Sequence, residues 1–186
     1  MDQDREKLAG GLRRGDPDVL DALLEEYQHR LFRYLLSITG NRAIAEDLFQ
    51  ETWLRVLERG SQFRPQWKFE VWLFSIARHL AIDLSRRKKS ASLDQLMDPE
   101  AGIGFEPTGS DPTPLEQLMS GERTERMANF LAHIPAVYRE VLTLRFHEDL
   151  ALEEMADLIQ VPISTVKSRL YRGLESLKKQ IEVGNA

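Results

Sequence analysis

The stretch LALEEMADLIQVPISTVKSRLYRGLESLKKQI, residues 150–181, decides the fold of the C-terminal part of the chain. Apolar residues recur at helical spacing from Leu152 to Ile159 and predict a short helix. Pro162 then ends the pattern, because proline fits only the first turn of the helix that follows it. Ser164 is the expected N-cap of that next helix, whose start can also fall two residues earlier. A short helix, a turn and a longer helix are typical of a helix-turn-helix.

The longer helix of this pair carries polar and basic residues opposite an apolar face that runs from Val166 to Ile181. Residues 163–181 contain five basic residues and one acidic residue, whereas residues 140–157 contain one basic and six acidic residues. Arginine reads guanine edges in the major groove, and serine or threonine binds a phosphate or a base. The pattern favours DNA reading over an ordinary exposed helix, with Ser164, Thr165, Lys167, Ser168, Arg169, Tyr171 and Arg172 as the candidate residues.

Residues 1–90 predict three amphipathic helices. Asp16 and the proline after it form an N-cap and first-turn pair, which opens a helix that ends at Gly40. Apolar periodicity predicts a second helix over about 43–59 and a third over about 67–88. No segment of the chain shows the sustained period-two alternation of a half-buried strand. The expected fold class is therefore all-α.

Residues 91–118 predict a flexible acidic linker between two small helical domains. The segment 91–122 holds seven acidic and no basic residues, together with four of the eight prolines. Such a composition cannot bury enough apolar surface to offset its ordering entropy. The expected organisation is an N-terminal domain over 1–90 and a C-terminal domain over 119–186, which begins with a helix at about 119–133.

Aromatic and basic residues alternate between the second and third predicted helices. Five of the fifteen aromatic residues lie between Phe63 and Phe74, and residues 64–89 carry seven basic and two acidic residues. Aromatic faces stack on bases while cations neutralise phosphates, so the stretch fits single-stranded nucleic acid. Phe63 and Trp67 are expected to be exposed, whereas Trp72 is expected in the core. From charge alone, a solvated basic helix end explains the stretch equally well.

The second predicted helix has an acidic polar face. Glu46, Asp47, Gln50 and Glu51 lie opposite its apolar residues or at their edge. By spacing alone, a solvated helix face is the favoured interpretation, and a protein-docking surface is the alternative.

Composition excludes several classes of protein. The chain has 186 residues, a net charge of −5 and no cysteine, so it has no disulfide, thiol nucleophile or thiolate metal site. No apolar run approaches the roughly 18 residues of a membrane span, and the first residues lack a secretory apolar segment. A cytoplasmic protein without membrane insertion is expected. The four histidines are scattered and no glycine-rich phosphate loop is present, so neither catalysis, a metal nor a cofactor is expected.

Three blocks of sequence carry a family likeness: AEDLFQETWLRVLERGSQF (45–63), WLFSIARHLAIDLSRRKK (72–89) and LTLRFHEDLALEEMADLIQVPISTVKSRLYRGLESLKK (142–179). They resemble bacterial RNA polymerase sigma factors of the sigma-70 family, and within it the extracytoplasmic-function (ECF) group, which keeps regions 2 and 4. The resemblance implies a specificity subunit, not an enzyme. Such a subunit binds the β′ and β subunits of core RNA polymerase, directs the polymerase to promoter DNA and helps to open it. An anti-sigma factor is a further implied partner.

The resemblance also implies roles for individual residues. Docking on the polymerase β′ subunit falls to Asp47, Gln50 and Glu51. Recognition of the −10 element falls to Phe63, Arg64, Trp67, Lys68, Arg78, His79, Asp83, Arg86 and Arg87. The −35 element is read by the candidate residues of the 163–181 helix, and Arg139 and Arg145 fall near positions that contact phosphates.

Two positions depart from the family pattern. His79 stands where asparagine is usual, which implies a different −10 preference, and Gln160 replaces the usual turn glycine.

A free-standing helix-turn-helix regulator is the alternative function. Such regulators usually bind two half-sites as dimers, and the sequence shows no obvious dimer helix.

Overall fold

A computed structural model describes residues 2–91 and 133–184, and all the regular structure in these two ranges is helical. The N-terminal part contains α1 (Asp2–Arg14), α2 (Pro17–Thr39), α3 (Arg42–Arg59), a 3₁₀ turn (Gly60–Gln62) and α4 (Phe69–Ala91). The C-terminal part contains α5 (Ala136–Phe146), α6 (Leu152–Ile159) and α7 (Ile163–Gly184). The expected all-α fold is confirmed. The predicted linker and the helix predicted at 119–133 lie outside the described residues, except for Ala91 and His133.

The ends of α2 are set by the predicted residues, and a further capping residue begins α3. The Asp16 side chain accepts a hydrogen bond from the N–H of Asp18 (3.2 Å) at the start of α2. Gly40 ends α2 in the left-handed conformation (φ 60°), which suits a residue without a β-carbon. Asn41 then caps α3 by accepting a hydrogen bond from the N–H of Ile44 (3.0 Å). Local sequence alone therefore determines this corner of the fold.

The turn between α6 and α7 completes the helix-turn-helix. Gln160 ends α6 in the left-handed conformation (φ 56°, ψ 47°) and thus replaces the usual glycine, at modest cost. The next helix begins at Ile163, because the carbonyl of Pro162 accepts hydrogen bonds from the N–H groups of the residues three and four positions further on. Of the two starts that the sequence allows, the earlier one is confirmed: Pro162 precedes the helix, and Ser164 lies in its first turn and is not the N-cap.

One apolar core extends through both parts of the chain. Helix α2 packs against α5, and α4 packs against α6. Tyr34 of α2 and Phe74 of α4 are fully buried, with ring centroids 5.1 Å apart. The same cluster includes Leu144 of α5 and Met155 of α6. The two helical domains are therefore packed directly on each other.

Helix α1 was not expected from the sequence. Gly10 and Gly11 fall within it, and each glycine lowers helix stability by about 1 kcal/mol relative to alanine. The two glycines therefore weaken the helical pattern of this segment. Ala9 and Leu12 are nonetheless buried, because α1 packs against the 3₁₀ turn. The contact is close: a β-carbon at Gly60 would lie 2.6 Å from the carbonyl oxygen of Leu12.

We expect Gly60→Ala to lower the free energy of unfolding by about 1–3 kcal/mol, because the added methyl group meets backbone that must shift. Gly10→Ala is the matched control. Its β-carbon would lie 3.4 Å from the end of the flexible Arg14 side chain, so the substitution should be neutral or stabilising. Urea unfolding followed by circular dichroism measures both variants, and equal stabilities would contradict the close contact.

Candidate nucleic-acid interface

An open groove of about 1160 Å³ lies between α3 and α4, and we call it the α3–α4 groove. The α3 wall contributes two carboxylates and two arginines, and the loop after the 3₁₀ turn contributes aromatic and basic side chains. Several residues predicted to bind the polymerase or the −10 element line this groove together: Asp47, Glu51, Phe63, Arg64, Trp67, His79, Asp83 and Arg87.

The polar wall of the groove continues onto the outer surface of α3. Asp47 and Gln50 are exposed, while the Glu51 carboxylate is 2.9 Å from the guanidinium of Arg55. This pair is part of an exposed network, so it contributes little to stability. Leu54 and Leu57 are more than half exposed further along the helix. The outward face of α3 thus offers carboxylates beside apolar side chains.

The aromatic residues at the groove divide between core and surface. Phe63 is buried, with its ring centroid 5.3 Å from that of Trp72, so the expectation that Phe63 is exposed is wrong. The 3₁₀ turn folds the chain back, and the N–H of Phe63 donates a hydrogen bond to the carbonyl of Gly60 (3.2 Å). Trp67 is 43% exposed, as expected, and the Arg64 guanidinium lies 5.7 Å from its ring centroid. The groove therefore exposes the ring of Trp67 together with the guanidinium of Arg64.

Three predicted −10 residues share one face of α4 because they are spaced four residues apart: His79, Asp83 and Arg87. The Nδ1 atom of His79 is 2.6 Å from the carbonyl oxygen of Ser75. Since a carbonyl oxygen only accepts hydrogen bonds, Nδ1 carries the proton, and the neutral ring keeps Nε2 as an acceptor. Arg86 is exposed but does not line the groove.

Arg78 lies on a different face of α4 and contacts the C-terminal part of the chain. Its Nε donates a hydrogen bond to the Glu140 carboxylate of α5 at 2.8 Å. The Tyr34 hydroxyl donates to the same carboxylate oxygen at 3.0 Å. Glu140 is only 2% exposed, so this polar cluster sits within the apolar contact between the domains. Burial, followed by the negative charge of Glu140, raises the pKa of Tyr34 well above its ordinary value.

Two further glutamates join the domains through ion pairs. Glu148, which precedes α6, is buried and accepts a hydrogen bond from Arg30 (2.8 Å), with Arg33 of the same helix α2 at 3.5 Å. Lys68 lies 2.8 Å from the Glu154 carboxylate of α6. Sequence reasoning missed the role of these glutamates, although the excess of acidic residues over 140–157 was visible.

The predicted −35 residues are concentrated on the first three turns of α7. Ser164, Lys167, Ser168, Tyr171 and Arg172 are exposed, whereas Thr165 and Arg169 are half-buried. The Ser168 hydroxyl donates a hydrogen bond to the carbonyl of Thr165 (2.9 Å). The exposed side of this helix therefore combines hydroxyl groups with cations.

The two arginines of α5 have different surroundings. Arg139 is 5% exposed, and burial lowers the pKa of its guanidinium. Arg145 donates a hydrogen bond from Nη1 to the carbonyl of Leu150 (3.0 Å) and lies 3.5 Å from Asp149. Both arginines are engaged within the fold in this arrangement.

Comparison with known proteins identifies the family. The family model for Sigma-70 region 2 matches residues 23–91, and the model for Sigma-70, region 4 matches residues 124–177. The chain is 30% identical to the ECF RNA polymerase sigma factor SigM of Bacillus subtilis (strain 168), over 86% of this chain and 93% of that protein. The chain belongs to the ECF group of the sigma-70 family. It is also 28% identical to the ECF RNA polymerase sigma factor SigW of Bacillus subtilis (strain 168), over 91% of this chain and 92% of that protein.

Solved structures share the fold of this ECF sigma factor. CnrH, in complex with the cytosolic domain of CnrY, has a TM-score of 0.64 at 18% identity over 95% of this chain and 96% of that chain. The sigma factor RpoE of Bartonella quintana, in complex with the anti-sigma factor NepR, has a TM-score of 0.63 at 19% identity. That match covers 88% of this chain and 96% of that chain.

Two kinds of feature are absent from the described residues. No helix in 2–91 or 133–184 is long and apolar enough to cross a membrane. Within the same residues, no group of three or more histidine or acidic side chains is arranged to hold a metal ion.

The Lys68–Glu154 pair makes the stability of the ECF sigma factor depend on pH. Burial raises the pKa of Glu154, but hydrogen bonds from Lys68 and from the N–H of Ala151 outweigh it, so the pKa is lowered overall. Because the pKa of Glu154 is lowered in the folded protein, the pair stabilises the fold at pH values above the ordinary pKa of glutamate. This stabilisation is lost as the pH falls through the lowered pKa. We expect Lys68→Met to raise the pKa of Glu154, measured by carboxyl NMR titration. The titration of the exposed Glu153 should not change, and an unshifted Glu154 would rule the pair out.

Proposed function

We propose that this ECF sigma factor binds core RNA polymerase, directs it to specific promoters and helps to open the DNA there. It acts as a specificity subunit and not as an enzyme. Residues 1–90 dock on the polymerase and recognise the −10 element, and residues 119–186 recognise the −35 element. The observation that carries this proposal is the α3–α4 groove, which combines carboxylates and arginines of α3 with an aromatic and basic loop, on the same chain as a helix-turn-helix.

Docking on the β′ subunit of the polymerase is assigned to Asp47, Gln50 and Glu51. Support comes from the exposed carboxylates on the outer face of α3 and from the exposed Leu54 and Leu57 beside them. Exposed leucines next to carboxylates provide apolar burial together with charge complementarity to a basic partner surface. The β subunit is the second proposed polymerase contact.

Promoter opening at the −10 element is assigned to the α3–α4 groove. A base taken out of the duplex needs an aromatic or apolar wall and hydrogen-bonding groups. Trp67 and Arg64 supply an exposed ring and a cation, and the buried Phe63 lines the groove beside Trp72. His79, with Nε2 free to accept in the neutral ring, is proposed to influence which base is preferred. Opening follows if the groove binds unstacked bases better than duplex DNA.

Recognition of the −35 element is assigned to the exposed side of α7 in the major groove. Hydroxyl groups and cations on its first turns suit base edges and phosphates. Arg139 and Arg145 are proposed phosphate contacts. Because Arg139 is buried here, its contact with a phosphate requires the surrounding surface to open.

An anti-sigma factor is the proposed regulatory partner. The solved structure of RpoE of Bartonella quintana has the same fold as this chain, and RpoE is bound there to the anti-sigma factor NepR. The surfaces assigned to the polymerase are exposed, which makes them available to such an inhibitor.

Transcription tests the whole proposal. Core polymerase from the native host, combined with the purified protein, should produce new transcripts from genomic DNA, and mapping their start sites should reveal two shared upstream elements. Core polymerase alone is the control. Failure to obtain any promoter-dependent transcript would overturn the function, and operator binding by a tight dimer without polymerase would favour the free-standing regulator.

We expect the double variant Asp47→Asn/Glu51→Gln to bind core polymerase about tenfold more weakly or worse, which corresponds to ~1.4 kcal/mol. The helices should remain intact, because both side chains are at the surface. Glu58→Gln is a matched control, since Glu58 is exposed on the same helix and contacts the same Arg55 (2.8 Å). Equal affinities of the double variant and the control would contradict the assigned docking surface.

We expect Arg172→Ala to weaken binding to the −35 element of the mapped promoter. Loss of a base contact would cost about 1–3 kcal/mol for that sequence, whereas loss of a phosphate contact would weaken all sequences alike and lower the salt slope by about one. The control is Lys178→Ala, which removes an exposed cation from the last part of α7. Fluorescence anisotropy at several salt concentrations separates these results, and binding identical to the parent at every concentration would refute both.

A further inference from the structure

Helix α1 contributes one arginine to the α3–α4 groove. Arg13 lines the groove together with residues of α3, of α4 and of the loop between them. The helix ends before residues 23–91, which match the model for Sigma-70 region 2. Arg13 is exposed, so its charge is available to a ligand in the groove.

The packing of α1 determines where Arg13 points. Leu12 is buried at the 3₁₀ turn, where its carbonyl oxygen would lie 2.6 Å from a β-carbon at Gly60. Successive residues of a helix point about 100° apart, so Arg13 and Arg14 face different surroundings. Arg14 does not line the groove, and its guanidinium lies 3.7 Å from the Asp16 carboxylate. The attraction of cations to the C-terminal end of a helix explains both arginines alike, but it does not explain why one of them faces the groove.

A second arginine reaches the same end of the groove from α3. Arg59 is the last residue of α3 and directly precedes the 3₁₀ turn on which α1 packs. It is exposed and lines the groove. Within residues 2–91 and 133–184, neither Arg13 nor Arg59 forms an ion pair, whereas Arg55 on the same wall is paired with Glu51 (2.9 Å) and Glu58 (2.8 Å). Two cations without carboxylate partners therefore converge in one concave site.

The same groove exposes the ring that suits an unstacked base. Trp67 is 43% exposed and lies beside the guanidinium of Arg64. A nucleotide whose base stacks on this ring brings its phosphates into the groove. The planar guanidinium of arginine matches the geometry of a phosphate, and its hydrogen bonds to an anion are strong. Arg13 and Arg59 are suited to this contact because no carboxylate neutralises them.

We propose that Arg13 and Arg59 bind the phosphodiester backbone of the DNA strand whose unstacked base enters the α3–α4 groove. The proposal deepens the proposed −10 function and rests on it. Helix α1 is then part of the surface that holds the melted strand. Contacts that form only after a base has left the duplex stabilise the open DNA relative to the closed DNA, so they favour promoter opening.

The first experiment measures binding of the full chain to single-stranded DNA. The probe is a short fluorescein-labelled strand of thymidines, because stacking on an aromatic ring tolerates any base. Arg13→Ala should bind the probe severalfold more weakly and reduce the magnitude of the salt slope by about 0.7, the value for one phosphate contact with a single strand. Arg14→Ala is the matched control, since it removes the same charge from the next position of α1 and should leave the slope unchanged. Arg13→Lys keeps the charge and should keep the slope.

The second experiment locates the DNA backbone. The sequence contains no cysteine, so Arg13→Cys and Arg14→Cys each introduce a single thiol. The probe strand carries an activated disulfide on a short tether at one backbone phosphate, and thiol–disulfide exchange joins it to a nearby cysteine. Arg13→Cys should cross-link much faster than Arg14→Cys. A role of Arg13 in stability alone would not produce this difference.

Each result supports or overturns the proposal. A reduced slope for Arg13→Ala together with faster cross-linking of Arg13→Cys supports it. Equal slopes for Arg13→Ala and Arg14→Ala overturn it, and so do equal rates of cross-linking. Arg59→Ala tests the second cation in the same way, and it decides the slope test if circular dichroism shows that Arg13→Ala does not fold.

Trp67→Ala separates this inference from the proposed function. If Trp67→Ala weakens binding of the probe and Arg13→Ala does not, the backbone contact is wrong and the proposed base pocket remains. If the parent protein does not bind the probe, or if neither variant weakens binding, the proposed base pocket is wrong as well. The transcription assay then shows separately whether the protein directs the polymerase to promoters.

Discussion

The arrangement of the two domains depends on the carboxylate of Glu140. It is buried at their contact and accepts hydrogen bonds from Arg78 Nε (2.8 Å) and the Tyr34 hydroxyl (3.0 Å). Removing a carboxylate from water is costly, and here the two well-placed donors compensate for that cost. The pKa of Tyr34 is raised well above its ordinary value by burial and by Glu140, so the hydroxyl stays protonated and keeps donating. Apolar burial drives the domains together, and this carboxylate determines how they are positioned relative to each other.

Local sequence signals were sufficient for much of the fold. Periodicity predicts α2 and α3, and Asp16 and Gly40 occupy the ends of α2 as expected. Gln160 adopts the left-handed turn that its position requires. These features depend on residues that are neighbours in the chain, so they can be read without knowledge of the tertiary structure.

The features that were missed depend on contacts between distant residues. Helix α1 is held by its packing on the 3₁₀ turn, where Gly60 permits a close approach to Leu12, and its own two glycines hide the helical pattern. Phe63 is buried because the same turn directs its ring against Trp72. The interdomain pairs join residues separated by up to 118 positions, and charge complementarity in a sequence does not tell whether DNA or another part of the chain supplies the opposite charge.

Different faces of helix α4 contact the α3–α4 groove and the C-terminal domain. Consecutive helical residues point about 100° apart, so Arg78 and His79 are neighbours in sequence but face different surroundings. His79 lines the open α3–α4 groove, whereas Arg78 is covered by α5. Trp67 and Lys68 divide in the same way between the groove and α6. Domain packing therefore covers the cations suited to duplex phosphates while it leaves the proposed base pocket open.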